Sequence, residues 1–348
     1  MDGTTYDVDL PLTSSVDPVE LKKELGIPDY VDLDYFPMKS AMVILWASQN
    51  APKMQELYPT TFEKKLSDKP IPALLFCGAA IKLHCQSANG TSRLARAIKD
   101  TDFIVPKKQG INFYKLLLGM AKAFGTAYTS FATANDRRFN MWRYGYRYRL
   151  TTINGITGDG LPKITVLDLF CDEINLRHSV KIKDLGLFER YRENLYTIGL
   201  EGILLSKGQF ILDMPNETRE ALKQKNQEYR ILQYPHFAKD RIIIGMEEKD
   251  VRDVVALFLD HDIGKGQEKI DAQQMRKALE NDKKLALTVI LNTKNLVEKP
   301  EILAKWLSKS EASTVTGKIE AFLKEMPKVE KRWDKPWWNT EVETPIIQ

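Results

Sequence analysis

The residues in this chain best suited to chemistry begin with an acidic pair at i, i+2, Asp100-Thr101-Asp102, which opens the apolar run Phe103-Ile104-Val105. Side chains two apart in a strand leave it on the same face, so both carboxylates point into one space. Like charges held that close repel unless a cation lies between them, and hard oxygen donors on a rigid strand suit Mg2+ or Mn2+. A third acid, Asp168, lies in the middle of the apolar run Ile164-Thr165-Val166-Leu167-Asp168-Leu169-Phe170. An unpaired charge is costly there, so Asp168 needs a partner. If the two strands are neighbours, three carboxylates converge, the layout in which divalent ions activate an attacking oxygen and hold leaving phosphate oxygens. The transition state of triphosphate chemistry spreads negative charge over phosphoryl oxygens and calls for such a layout. The competing readings are an acid pair bonded to Lys99 or capping a turn, and an Asp168 buried in a salt bridge to an arginine.

Upstream, Phe76-Cys77-Gly78-Ala79-Ala80-Ile81-Lys82-Leu83-His84 places a glycine at the start of an apolar helix. Helix N-termini offer free N–H groups and partial positive charge, so a phosphate could sit there, with the glycine allowing close approach. In Trp142-Arg143-Tyr144-Gly145-Tyr146-Arg147-Tyr148-Arg149 the aromatics take the even positions, while Arg143, Arg147 and Arg149 share the other face. The expected arrangement is an aromatic core face with solvated arginines behind it. The alternative has the arginines lining the site and gripping phosphate or RNA. His84 and His178 read as structural, and His261 as a helix-end residue favoured by the dipole. Cys77, Cys85 and Cys171 have no CxxC spacing and read as reduced packing residues.

The elements that must position these groups follow from periodicity and punctuation. Asp17-Pro18-Val19-Glu20 is a helix start with Gly26 as its stop, and a second helix is expected over Met38–Ser48. From Ile71 the pattern becomes α/β: an apolar helix near Ala73–Cys85, a strand Thr101–Val105 and a helix Ile111–Phe124. Strands Met141–Leu150 and Ile164–Ile174 follow, joined by a Gly- and Asp-rich turn over Asn154–Gly160. Beyond Thr197 the apolar spacing is helical, with breaks at Pro215, Pro235, Gly264, Pro300 and Pro327. The expected organisation is a helical N-terminal segment over 1–70, a mixed-sheet α/β (α+β) core with flanking helices over 71–196, and an all-helical region over 197–348. The tail containing Trp333, Trp337 and Trp338 is too apolar for water and is expected to fold back.

The 348 residues can bury a full core, and 28% charged with 43% hydrophobic residues is ordinary for a globular protein. Residues 1–70 hold 7 Lys/Arg and 12 Asp/Glu, leaving 44 and 35 in the remainder, so the body is the better partner for a polyanion such as a nucleotide or an RNA end. The acidic start MDGTTYDVDLPL lacks the pattern of a secretory signal, and no apolar stretch approaches the ~18 residues of a membrane span. A cytoplasmic protein without membrane contact is expected.

The order Gly78-Ala79, Arg96, Lys99-Asp100-Thr101-Asp102-Phe103 and Leu167-Asp168-Leu169-Phe170 with His178 resembles the polymerase-β-type nucleotidyltransferases. The AbiEii-like abortive-infection toxins are the most similar branch. Leu204-Leu205-Ser206-Lys207-Gly208-Gln209 resembles that family's lysine helix, and Lys249-Asp250-Val251-Arg252-Asp253 its paired-Asp helix. The resemblance spans roughly residues 75–300. It implies a nucleotidyltransferase-type sheet and Mg2+-dependent (or Mn2+-dependent) transfer of a nucleoside monophosphate from an NTP to RNA, protein or a small molecule. It also implies a toxin with a cognate antitoxin. Asp100, Asp102 and Asp168 would bind metal, Gly78 and Ala79 would hold the triphosphate, and Lys207 would contact phosphate. Arg96, Lys99, Asp250 and Asp253 would complete the nucleotide site. Where this chain has Gly78-Ala79 the family more often has Gly-Gly or Gly-Ser, so the hydroxyl is missing while the backbone donors remain. The rival reading is a catalytically degenerate nucleotide-binding or protein-interaction protein that keeps the fold.

Overall fold

Helix α1 (Pro18–Leu25) forms where its local signals place it: the Asp17 side chain accepts a hydrogen bond from the Val19 amide at 2.9 Å, and Gly26 ends the helix at φ 63°. The computed structural model describes residues 17–33, 36–62, 64–124, 143, 145–156, 158, 160, 162–181, 197–234, 238–266, 268–329, 333 and 335–340. The chain is a mixed α/β protein that divides into two compact units. One comprises residues 1–83, 97–173 and 188–198; the other comprises 84–96, 174–187 and 199–348. The N-terminal helices therefore belong to the unit that carries the acids, where a separate 1–70 segment was expected.

In the first unit, β1 (Leu74–Phe76), β2 (Asp100–Val105), β3 (Arg147–Ile156) and β4 (Pro162–Cys171) form one sheet in the order β1-β2-β4-β3. Strands β2 and β4 are parallel, and both outer pairings are antiparallel. One face packs on helix α2 (Phe36–Gln49) and on a long helix, named here αL (Lys107–Phe124). Helix α2 carries buried Met38, Ala41, Met42, Ile44 and Leu45, too many apolar positions for a surface helix, so it lies in the core. On αL, Phe113 meets Phe103 at 5.5 Å between ring centroids, and Tyr114 meets Tyr148 at 4.9 Å. Gly119, inside αL, lets the Phe62 ring approach so closely that a Cβ would lie 2.2 Å from it. Alanine favours a helix by about 1 kcal/mol over glycine, but overpacking costs about 1–3 kcal/mol, so sterics win. Gly119→Ala is therefore expected to lower the urea midpoint of unfolding.

Secondary structure departs from the sequence expectations at three places. The stretch 73–85 is not one helix: it is strand β1 followed by helix α3 (Cys77–His84), with Cys77 at φ 55° making the tight junction. Strand β3 starts at Arg147 and runs to Ile156, so the turn to β4 is shorter than expected; residues 141, 142 and 144 lie outside the described residues. The region after Thr197 is not all helical. It contains a three-stranded antiparallel sheet of Leu212–Pro215, Ile231–Leu232 and Arg241–Ile244, and a short pair Asp262–Ile263 with Lys269–Ile270. Ile242, Ile243 and Ile244 are buried, and a short β-branched run of this kind fits a strand as well as a helix when judged by period alone.

In the second unit, helix α4 (Leu200–Gly208) is buried along its whole length and packs on α5 (Glu248–Asp260) and α6 (Lys283–Glu298). Helix α7 (Lys309–Glu325) starts in a Ser308/Glu311 capping box and packs Phe322 on Phe258 of α5, with centroids 5.6 Å apart. The tryptophan tail folds back as expected. Trp337 and Trp338 are buried with Ile211, Leu232, Ile243 and Leu287, and the Trp337 indole donates to Thr288 Oγ1 at 3.0 Å.

Candidate functional site

The sheet of the first unit brings the three acids onto one face. Asp102 and Asp168 are register partners on the parallel strands β2 and β4, and Asp100, two residues earlier, shares their face opposite Val166. Phe76 pairs with Asp102 on the other side, so α3 begins one residue beyond the row that holds the acids. Gly78 and Ala79 are both buried in the first turn of α3. Asp100 is exposed, Asp102 is half-buried, and Asp168 is 6% exposed. Lys99 is exposed and makes no ion pair among the described residues, so the reading in which it neutralises the acid pair does not hold.

Asp168 does have its partner, and that partner is cationic. Arg149, its register partner on β3, donates from Nε to Oδ1 at 2.8 Å and from Nη2 to Oδ2 at 2.8 Å. Arg147 donates from Nη2 to Oδ2 at 2.5 Å. Burial alone would push the Asp168 carboxyl up, but the two guanidiniums outweigh it and hold it at about 2. The Arg147 guanidinium also lies 4.3 Å from the centroid of the Phe170 ring. The expectation of solvated arginines behind an aromatic face is thus overturned for this pair: Arg147 is 8% exposed, and both arginines lie on the acid face. Tyr148 is buried, whereas Tyr146 is 56% exposed and stacks under Lys107.

These contacts decide which of the acids fit a cation. Three of the roughly four lone-pair positions of the Asp168 carboxylate accept arginine N–H groups, so it offers little to a metal in this arrangement. Among the described residues, no group of three or more His, Cys, Asp or Glu side chains is arranged to hold a metal ion. Asp100, exposed, and Asp102, half-buried, are two hard oxygen donors at strand spacing whose chemistry suits one.

The second unit assembles the other expected residues into a buried ion cluster. Lys207 of α4 lies 3.0 Å from Asp250 and 2.9 Å from Asp253, which share a face of α5 at i, i+3. Arg96 grips Asp253 from Nε at 2.9 Å and Nη2 at 2.5 Å. Burial would raise the Asp253 carboxyl, but Lys207 and then Arg96 hold it below the usual carboxylate range. Residues from three separate stretches of sequence thus meet as two cations and two carboxylates. The lysine expected to touch phosphate here touches carboxylates.

His84 and His178 are both buried. Burial and the neighbouring His261 press His84 down to about 3, and burial holds His178 at about 4 while its Nε2 lies 2.9 Å from Thr288 Oγ1. The salt bridge from Asp168 to an arginine, the competing reading of the sequence, is what the structure shows; sequence reasoning did not identify Arg147 and Arg149 as the partners. The available signal was that Arg147 and Arg149 share a strand face, on a strand that a tight turn places beside the one bearing Asp168. No helix among the described residues is long and apolar enough to cross a membrane. Comparison with models of known families, with curated proteins and with solved structures gave no match.

Proposed function

We propose that this chain is a divalent-metal-dependent nucleotidyltransferase of the polymerase-β type, moving a nucleoside monophosphate from an NTP to an acceptor. The observation that carries this reading is the register match of Asp102 with Asp168 on adjacent parallel strands, with Asp100 on the same face. Asp100 and Asp102 would hold the ion, which when bound supplies positive charge to the phosphoryl oxygens. The first-turn amides of α3, opened by Gly78 and Ala79 beside the same row, would orient the phosphate chain. Asp168, held ionised by its arginines, is too weak a base to take a proton from an acceptor and serves to position Arg147 and Arg149. The acceptor class (RNA, protein or small molecule) and an antitoxin partner follow from the family resemblance alone.

A second reading is favoured by one feature of the site. Because both oxygens of Asp168 are engaged by arginines, the same sheet could bind nucleotide without turnover. Incubation with each α-labelled NTP, Mg2+ or Mn2+, and RNA and protein acceptors separates the two. Label transfer that chelation abolishes is the expected result. Mg–NTP binding by calorimetry with neither transfer nor pyrophosphate release would sink the enzymatic reading and leave a nucleotide-binding protein.

A further inference from the structure

The charges on the acid face are ordered along a single cross-strand row. From β1 to β3 the row reads Phe76, Asp102, Asp168, Arg149, and the adjacent row ends in Phe170 and Arg147. The strands that carry Asp102 and Arg149 lie two spacings, about 10 Å, apart, with Asp168 on the strand between them. A metal–polyphosphate has the same polarity, with a cation at one place and anionic oxygens further along. Resting on the nucleotidyltransferase reading above, we propose that Arg149 grips the substrate's phosphate chain, with Asp168 and Arg147 as the residues that position it.

Geometry and charge both support this assignment. Arg149 has its Nε–Nη2 edge locked on Asp168, while its side chain remains 21% exposed. Arg147, at 10%, is held against Phe170, whose ring in turn meets Phe76 at 5.1 Å. A guanidinium fixed in this way has already lost most of its rotamer freedom, so ordering it against a phosphate costs little. Among the described residues, three carboxylates (Asp100, Asp102 and Asp168) share this face with Arg147 and Arg149, and each carboxylate opposes a polyphosphate. A divalent ion at Asp100 and Asp102 would offset these carboxylates, so phosphate binding should depend on the ion being present.

Inorganic tripolyphosphate tests the grip independently of base and of turnover. Calorimetry with Mg2+ and tripolyphosphate on the full chain should show binding that disappears when Mg2+ is chelated. Arg149→Gln and Arg149→Lys should each weaken it by about tenfold or more, because the planar fork is lost in both. Mn2+ binding without phosphate, read by electron paramagnetic resonance, should be at least as tight in both variants as in the parent. Arg149→Lys keeps a positive partner for Asp168 and serves as the folded variant if Arg149→Gln unfolds. Tripolyphosphate binding by folded Arg149→Lys within about twofold of the parent overturns the assignment, while label transfer by the parent would still support the enzymatic reading. Arg149-dependent binding without any transfer supports the assignment and removes the enzyme. A parent that binds no Mg–tripolyphosphate overturns the assignment outright.

Discussion

Asp168→Asn should destabilise the sheet unit by about 3–5 kcal/mol, whereas Asp100→Asn should leave stability within about 0.5 kcal/mol and abolish metal-dependent transfer. The two acids face the same way but stand in opposite environments. Asp168 is buried between Arg147 and Arg149, so losing its charge strands two guanidiniums in a low-dielectric site. Asp100 is exposed at the start of β2, and its amide isostere loses only a ligand. Urea denaturation and Mn2+ binding on the same samples separate the effects: Asp100→Asn should keep its midpoint and lose Mn2+, with transfer reduced by at least about a hundredfold. An Asp168→Asn protein with parental stability would show that the ion triad is not a structural element. An Asp100→Asn protein with parental transfer would remove the metal site.

The pH dependence follows from the same triad. The Asp168 carboxyl is depressed from 3.8 to about 2 in the folded protein, so its stabilisation is complete above about pH 4 and lost as pH falls toward 2. That depression corresponds to about 2 kcal/mol, an acid sensitivity that Asp168→Asn should no longer show.

Local signals made part of this fold legible and non-local pairing hid the rest. Helix α1 could be read residue by residue because Asp17 and Gly26 act on amides and carbonyls within a few positions of themselves. The shared face of Asp100 and Asp102 was legible for the same reason, since alternation in a strand is a local property. The bonding of Asp168 to Arg149 was not. It depends on the register of β3 against β4, and an irregularity between Ile153 and Ile156 shifts that register, so counting back across the turn does not recover it. Ile242–Ile244 was ambiguous because three buried isoleucines carry no period. The ion cluster of the second unit joins Arg96, Lys207 and Asp253 across large sequence separations. The family resemblance grouped these residues as a nucleotide site, but their mutual ion pairing is a tertiary fact.

Lys207→Met should be the most damaging single change in the second unit, at about 3–5 kcal/mol. The substitution keeps the length and apolar stem of the side chain, so packing is largely preserved and the loss is electrostatic. It leaves Asp250 and Asp253 buried on one helix face with Arg96 bonded to Asp253. The sign of the pH effect identifies the cause. In the parent, Asp253 is depressed, so its stabilisation is present at neutral pH and lost as pH falls through the folded value. In Lys207→Met, Asp253 loses the cation that does most to hold its carboxyl down, so the deficit relative to the parent should be largest near pH 7 and shrink below about pH 4. Urea midpoints across that range read the trend directly. A variant as stable as the parent at pH 7, but with weaker Mg–NTP binding, would instead mean that Lys207 serves phosphate and that its carboxylate contacts are incidental. The two roles compete, because an ammonium held 3.0 Å and 2.9 Å from two buried carboxylates weakens those pairings as it moves toward a phosphate, and Asp250 loses more than Asp253, which keeps Arg96.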